Sequence, residues 1–245
     1  MAQANHEGDG DDEVTLPRKS EVTPEARRGR LLARPDRPPS QAPVVGVRPL
    51  GLGQRRDGLL MVPEGVAQSL PLLVWLHGAG GDALGMLRML EPQARAMGIA
   101  LLVPESRGPT WDVIMGGLGP DVAFLDAALR QAFTEVPVDP ARLAIGGFSD
   151  GASYALSLGL ANGDLFRWVL AFSPGFVAPL ATVGQPRIYV SHGTEDDVLP
   201  IEPCSRRLVP RLQRSGYAVR YEEFAGGHFV PEQVASEALD LLRAG

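Results

Sequence analysis

Short apolar runs alternate with longer amphipathic segments from about residue 44 to the end of the chain. The run at 71–76 (PLLVWL) is apolar at every position, which is typical of a strand buried on both faces of a parallel sheet. Similar runs predict further strands at 57–62, 99–103, 143–148, 168–172, 188–191 and 219–224. Helical periodicity predicts helices at about 84–97, 120–134, 150–161, 203–215 and 231–243. This alternation predicts an α/β fold, with a mostly parallel sheet and helices on both faces.

Residues 1–43 have a different character from the rest of the chain. They contain six prolines and no periodic apolar pattern, with acidic residues concentrated before Glu25 and five arginines between Arg27 and Arg37. A segment of this composition is predicted to be a disordered, charge-segregated tail. Residues 44–245 show no internal repeat and no shift in composition, so we expect them to form a single α/β domain.

The basic residues exclude several classes of chemistry. Of the 23 basic residues only Lys19 is a lysine, and it lies in the predicted tail. Walker-type phosphate binding and Schiff-base catalysis need a lysine, which the predicted domain does not contain. A formal net charge of -6 argues against a nucleic acid partner, because such binding depends on neutralising phosphates with Lys and Arg.

The single cysteine, Cys204, cannot form an intrachain disulfide or a thiolate zinc site. No apolar run reaches the roughly 18 residues of a membrane-spanning helix. The first residues (MAQANHEGDGDDE) lack the apolar region of a secretory signal. We therefore expect a cytoplasmic location and no membrane span, while the oligomeric state stays open.

A G-x-S-x-G motif at 147–151 lies between the apolar run 143–148 and the helical pattern that begins at Asp150. A sharp strand-to-helix turn strains the backbone of its middle residue, and the flanking glycines leave room for the neighbouring chain. Such a turn would place the Ser149 hydroxyl at the carboxyl edge of the sheet. Ser149 is therefore the candidate nucleophile.

A serine nucleophile needs a base within hydrogen-bond reach, and the base needs an orienting carboxylate. In the chain order associated with this turn, the acid comes next and the histidine last. His228 lies on a loop after the predicted strand 219–224 and is the candidate base. The loop 192–200 (HGTEDDVLP) carries the candidate acid, and His192 before this acid is interpreted as a structural turn residue.

The sequence H-G-A-G-G at 77–81 directly follows the buried run 71–76. Its glycines allow the backbone to approach a substrate closely. We expect the backbone amides of Ala79 and Asp150 to form an oxyanion hole, a pair of donors for the charge that develops on the attacked carbonyl oxygen. Three residues are candidates to line the substrate pocket: Gly78, Gly80 and Trp111.

Four motifs together resemble the α/β-hydrolase fold, and specifically its phospholipase/carboxylesterase-type esterases. They are LHGAGG (76–81), GGFSDGASYA (146–155), HGTEDDVLP (192–200) and GGHFVP (226–231). The resemblance implies a serine esterase without metal or cofactor, in which Ser149 is the nucleophile, Asp196 the acid and His228 the base. The chain departs from the family pattern at Asp197, where relatives commonly have proline, and this leaves a second carboxylate beside the acid.

These observations predict a carboxylic ester hydrolase that acts on a small-molecule ester through an acyl-serine intermediate. The short segments between the motifs leave no room for a large cap domain and favour short to medium acyl chains. Acyl-thioesterase and lysophospholipase activities fit the same three residues. A non-enzymatic module that binds ligands in the same pocket is the alternative from another class, although such proteins usually lack one of the three residues.

Overall fold

A computed structural model of the protein describes residues 22–36, 38–52, 56–65 and 69–244. The strands within these residues are Gly46–Pro49 (β1), Gly58–Val62 (β2), Leu70–Leu76 (β3), Ala100–Pro104 (β4), Val138–Phe148 (β5), Trp168–Phe172 (β6), Arg187–Gly193 (β7) and Val219–Phe224 (β8). The helices are Pro24–Arg27 (α1), Ala83–Met97 (α2), Pro120–Glu135 (α3), Asp150–Ala161 (α4), Ser205–Arg214 (α5) and Glu232–Ala244 (α6). The apolar pattern predicts all of these elements except α1 and β1.

The strands of the described residues form one eight-stranded sheet in the order β1-β2-β4-β3-β5-β6-β7-β8. At one edge β1 is antiparallel to β2, and β2 is antiparallel to β4. Every other neighbouring pair in the sheet is parallel. The predicted mostly parallel sheet is confirmed.

Helices cover both faces of this sheet, and the residues of β3 alternate between the faces. Leu72, Val74 and Leu76 belong to the apolar core that includes α3, α4 and α5. Leu73 and Trp75 belong to the core on the other face, with α2 and α6. All seven residues of β3 are buried, which explains the uninterrupted apolar run in the sequence. No helix in the described part of the chain is long and apolar enough to cross a membrane.

The parallel strands bring their carboxyl ends to one edge of the sheet. Four segments with predicted chemistry follow strands at this edge: 77–81 after β3, Ser149 after β5, 195–197 after β7 and His228 after β8. Two long connections, 105–119 and 173–186, also lie here, and neither contains a helix. The edge that carries the candidate residues is therefore not covered by a cap domain in the described part of the chain.

Residues 22–36 pack against the domain, in contrast to the tail predicted over residues 1–43. Leu31 and Ala33 are 0% and 1% exposed, and the short helix α1 contacts α3. The prediction of disorder is therefore wrong for residues 22–36. Residues 1–21, which belong to the same prediction, lie outside the described residues.

Polar contacts hold this N-terminal segment in place. The Leu31 amide donates to Asn162 Oδ1 at 2.9 Å, although the two residues are 131 positions apart. Arg30 and Arg34 both pair with Asp164, at 2.9 and 2.7 Å. The sequence did not predict this packing, because residues 22–36 contain only a few apolar residues without periodicity. Their burial depends on a surface formed by helices that are distant in the chain.

We expect Leu31→Ala to lower the free energy of unfolding by about 2–4 kcal/mol, because it removes a fully buried side chain from the core. The neighbouring Leu32 is 50% exposed and provides the matched control, so Leu32→Ala should change stability by less than about 0.5 kcal/mol. Denaturant unfolding of both variants measures the difference. Equal and small effects would mean that residues 22–36 do not contribute to the core in solution.

Candidate active site

Ser149 occupies the sharp turn between β5 and α4, with φ 58° and ψ -121°. A positive φ is strained for a residue other than glycine, so the surrounding structure must hold it. A Cβ on Gly147 would lie 2.5 Å from the backbone of Gly151, and a Cβ on Gly151 would lie 2.3 Å from the Leu76 carbonyl oxygen. Both positions therefore require glycine, because the neighbouring atoms belong to the backbone and cannot turn away.

The turn brings Ser149 into contact with residues from two later loops. Ser149 Oγ lies 2.9 Å from His228 Nε2, and His228 Nδ1 lies 2.6 Å from Asp196 Oδ2. The His228 ring packs against Phe148, with the ring centroids 4.6 Å apart. Ser149 and Asp196 are only 8% and 5% exposed. The three side chains form one hydrogen-bonded series, an arrangement that lets a serine hydroxyl lose its proton to an imidazole.

The adjacent carboxylates Asp196 and Asp197 have different environments. Asp196 Oδ1 accepts hydrogen bonds from the amides of Val198 and Leu199, at 3.0 and 2.8 Å. Burial opposes ionisation of Asp196, but the hydrogen bonds from His228 and the Leu199 amide outweigh it and hold the pKa of this carboxyl below its usual value. Asp197 is exposed, and its side chain contacts no hydrogen-bonding or ionic partner among the described residues. Only Asp196 faces His228.

His192, interpreted from the sequence as a turn residue, lies buried beneath the acid. Its Nε2–H donates to the Leu199 carbonyl at 2.8 Å and lies 3.3 Å from Asp196 Oδ2, while its Nδ1 accepts from the Ser205 hydroxyl at 2.7 Å. Burial lowers the pKa of His192, so the ring is neutral at neutral pH. His192 therefore positions the loop that carries Asp196. The structure places His192 in β7 itself, one residue before the strand ends, and Asp196 on the turn that follows, so the H-G-x-x-D spacing is the sequence signal for this contact.

The glycine loop, residues 77–81, runs directly beside the serine. A Cβ on Gly78 would lie 3.2 Å from Ser149 Cβ. Asp150 is the first residue of α4, so its amide precedes the hydrogen bonds of the helix. Neither the Ala79 amide nor the Asp150 amide donates to another described residue. Both amides are available to an oxyanion.

His77 holds the beginning of the glycine loop. Its Nδ1–H donates to the Gly78 carbonyl at 2.7 Å, and its Nε2 accepts from the Ser106 amide at 3.0 Å. Burial lowers the pKa of His77, which favours the neutral ring that these two contacts require. His77 therefore shapes the loop through its backbone contacts and does not face the serine.

The glycine loop is also bonded to the 105–119 loop. The Gly80 amide donates to the Pro109 carbonyl at 2.8 Å. Arg56 donates to the carbonyls of Gly81 and Ser106, at 2.9 and 2.7 Å, and so connects the two loops. Sequence reasoning missed Arg56, because it lies before β2 and is 25 residues away from the glycine that it binds.

Trp111 is fully buried, at 0% exposed, so the prediction that it lines a substrate pocket is wrong. Its ring stacks on Tyr154 with centroids 5.0 Å apart and lies 4.8 Å from the His77 ring. Its Nε1–H donates to the His77 carbonyl at 2.7 Å. Burial removes the large apolar ring from water, and the hydrogen bond to the His77 carbonyl satisfies its single donor. Trp111 therefore supports the glycine loop from below.

Two carboxylates, the buried Asp121 and the half-buried Asp112, anchor the 105–119 loop. Asp121 accepts from the amides of Arg107 and Asp112, at 2.5 and 2.7 Å. Asp112 in turn accepts from the amides of Gly119 and Asp121, at 2.8 and 3.0 Å. Burial, with the Asp112 charge as a second cause, raises the pKa of Asp121 to about 6. Within the described residues, no group of three or more His, Cys, Asp or Glu side chains is arranged to hold a metal ion.

Comparisons with known proteins find similar esterases. A model of the phospholipase/carboxylesterase family matches residues 122–243, a span that contains Ser149, Asp196 and His228. Feruloyl esterase C of Emericella nidulans is 32% identical over 157 residues, which cover 60% of this chain and 57% of the relative. The putative esterase NocK of Nocardia uniformis is 30% identical over 159 residues, covering 60% of this chain and 45% of that protein. The chain thus spans less than two thirds of the length of these curated relatives.

Solved structures share the fold. The crystal structure of esterase PE8 superposes with a TM-score of 0.63 at 24% identity, covering 76% of this chain and 97% of that one. A carboxylesterase of Bacillus cereus superposes with a TM-score of 0.60 at 18% identity, covering 76% and 93% of the two chains. At these identities the likeness shows the α/β-hydrolase fold, as predicted, and nothing about substrates.

The two adjacent carboxylates allow a direct test of the site. We expect Asp196→Asn to lower kcat for ester hydrolysis by roughly a hundredfold or more, because it removes the charge that stabilises the protonated His228 ring and selects its tautomer. Asp197→Asn is the matched control and should cost less than about tenfold, since an exposed charge acts on His228 only through solvent. Measuring kcat of both variants at about pH 8 decides the assignment. A larger loss of kcat in Asp197→Asn than in Asp196→Asn would assign the catalytic acid to Asp197 instead.

Proposed function

Because the chain belongs to the α/β-hydrolase family of serine esterases, we propose that it hydrolyses carboxylic esters through an acyl-serine intermediate. The observation that carries the proposal is the hydrogen-bonded series from Ser149 through His228 to Asp196, with contacts of 2.9 and 2.6 Å. A non-enzymatic binding module has no need of a buried, strained serine paired with an imidazole. The series therefore supports an enzyme over that alternative.

In the first half of the reaction Ser149 Oγ attacks the ester carbonyl carbon while His228 Nε2 takes the hydroxyl proton. The carbonyl oxygen becomes an oxyanion and accepts hydrogen bonds from the amides of Ala79 and Asp150. His228 then passes its proton to the alcohol oxygen as the carbon–oxygen bond breaks. The acyl group remains on Ser149, and the alcohol leaves.

In the second half a water molecule replaces the alcohol. His228 Nε2 takes a proton from this water, which attacks the acyl carbonyl and passes through a second oxyanion at the same two amides. His228 returns the proton to Ser149 Oγ, and the carboxylic acid is released. Asp196 stays ionised throughout, keeps the proton on His228 Nδ1 and stabilises the imidazolium that forms in each half.

The proposal also concerns which class of ester the protein hydrolyses. The similarity to feruloyl esterase C supports esters of aromatic acids as substrates to test first. The absence of a cap over the described catalytic edge supports short to medium acyl chains, and thioesters or lysophospholipids would use the same residues. The cytoplasm remains the expected location, because the single cysteine, Cys204, calls for no oxidising compartment.

We expect Ser149→Ala to lower kcat by roughly three orders of magnitude or more, because it deletes the nucleophile and removes little packing. Ser173→Ala is the matched control: Ser173 is also buried, also has a positive φ of 50°, and its Oγ has no hydrogen-bond partner among the described residues. This control should stay within about tenfold of the wild type. Steady-state hydrolysis of p-nitrophenyl acetate measures both. Residual activity of Ser149→Ala within tenfold of the wild type would refute the esterase proposal.

A panel of p-nitrophenyl esters from acetate to palmitate tests the acyl preference. We expect kcat/KM to be highest for a short to medium chain, because an open edge without a cap offers little apolar surface for a long chain. The Ser149→Ala variant corrects each rate for hydrolysis that does not use the serine. A maximum at palmitate would contradict the expected chain length and leave the reaction type intact.

A further inference from the structure

A shallow pocket of about 250 Å³ opens beside the glycine loop. It is lined by Gly78, Ala79, Gly81, Asp82, Gly85, Met86 and Phe148. Met86, at 5% exposed, and the half-buried Phe148 supply its larger apolar side chains, while its glycines keep the opening free of side chains. Of the predicted pocket residues, Gly78 lines this space, whereas Gly80 and Trp111 do not.

Two of the lining residues connect this pocket to the candidate catalytic residues. Ala79, whose amide is a proposed oxyanion donor, is part of its lining. Phe148 directly precedes Ser149 in the chain and packs against the His228 ring at 4.6 Å. An ester whose carbonyl oxygen binds the Ala79 amide therefore has this pocket as neighbouring space for one of its substituents. Its apolar walls suit a compact hydrocarbon group.

Asp82 places a negative charge at the rim of the pocket. Its Oδ1 caps α2 by accepting from the Gly85 amide at 2.7 Å, and the residue is otherwise exposed. No described residue forms an ion pair with Asp82. Arg56, which donates to the carbonyl of the preceding residue Gly81, forms an ion pair with Glu105 at 3.6 Å.

Further acidic side chains surround the candidate site on the side of His228. Glu195 and Asp197 are both exposed on the loop that follows β7. The guanidinium of Arg107, on the 105–119 loop, lies 3.6 Å above the Phe124 ring and donates to the Glu105 carbonyl. Asp82 is the one charged residue that lines the pocket among the described residues, and the exposed Arg88 lies two positions after Met86 on α2.

We propose that this pocket binds a compact, uncharged part of the ester and that Asp82 disfavours substrates that carry an anionic group there. This inference rests on the proposed esterase function. An anion in the pocket loses its hydration against Met86 and Phe148, and it meets the unpaired carboxylate of Asp82 at the rim. An uncharged group of the same size avoids both costs.

Asp82→Asn tests the inference without loss of the helix cap, because asparagine caps helices as well as aspartate does. The substrates are two matched pairs that differ by one carboxylate: p-nitrophenyl benzoate against mono-p-nitrophenyl terephthalate, and phenyl acetate against 4-acetoxybenzoate. The first pair varies the acyl half and the second the alcohol half. We expect Asp82→Asn to raise the ratio of kcat/KM for the anionic member to kcat/KM for the uncharged member of one pair about threefold to fivefold, which is the effect of one short-range charge in water.

Asp36→Asn is the matched control, because it removes one exposed carboxylate from the N-terminal segment on the other face of the sheet. An equal rise in that variant would mean that net charge alone acts, and it would overturn the inference, as would an unchanged ratio in both substrate pairs. The Ser149→Ala variant distinguishes failure of the pocket assignment from failure of the esterase proposal. Hydrolysis of the uncharged esters that depends on Ser149, with no effect of Asp82→Asn, refutes the pocket assignment alone, whereas hydrolysis that persists without Ser149 refutes the esterase proposal.

Discussion

The close contact between the Ser149 turn and the end of β3 is the constraint on which the site depends. Gly151 lies so near the Leu76 carbonyl that no side chain fits between them. This contact holds the serine at a positive φ, directs the start of α4 toward the substrate side and places the glycine loop beside the nucleophile. Strain at one residue is sustained because β5 before the serine is part of the central sheet and α4 after it packs on that sheet.

The glycine loop owes its shape to its neighbours, although its glycines alone would leave it free to adopt many conformations. A neutral His77 ring, the Trp111 indole and the Arg56 guanidinium each bind a backbone group of this loop or of its partner, the 105–119 loop. These contacts hold the loop while the Ala79 amide stays unbonded, and the start of α4 supplies the second free amide, that of Asp150. Preorganised donors of this kind stabilise an oxyanion without reorganisation during the reaction.

On the loop after β7, two adjacent aspartates have different environments and therefore different roles. Asp196 accepts two backbone amides, contacts His228 and lies beside the neutral ring of His192, whereas Asp197 faces solvent. The same principle governs the rim of the pocket, where Asp82 caps a helix and keeps an unpaired charge. Position relative to the sheet edge, and not residue type, decides what each carboxylate can do.

Local patterns in the sequence determined the strands and helices of the sheet domain except the half-exposed edge strand β1, since apolar periodicity reports burial directly. They also predicted the chain order of Ser149, Asp196 and His228, because each lies in a short motif at the end of a strand. Tertiary structure decided the rest. The packing of residues 22–36, the burial of Trp111 and the roles of Arg56 and His192 depend on partners that lie on other elements. Such contacts exist only after the sheet has brought its carboxyl ends together, and a local pattern carries no information about them.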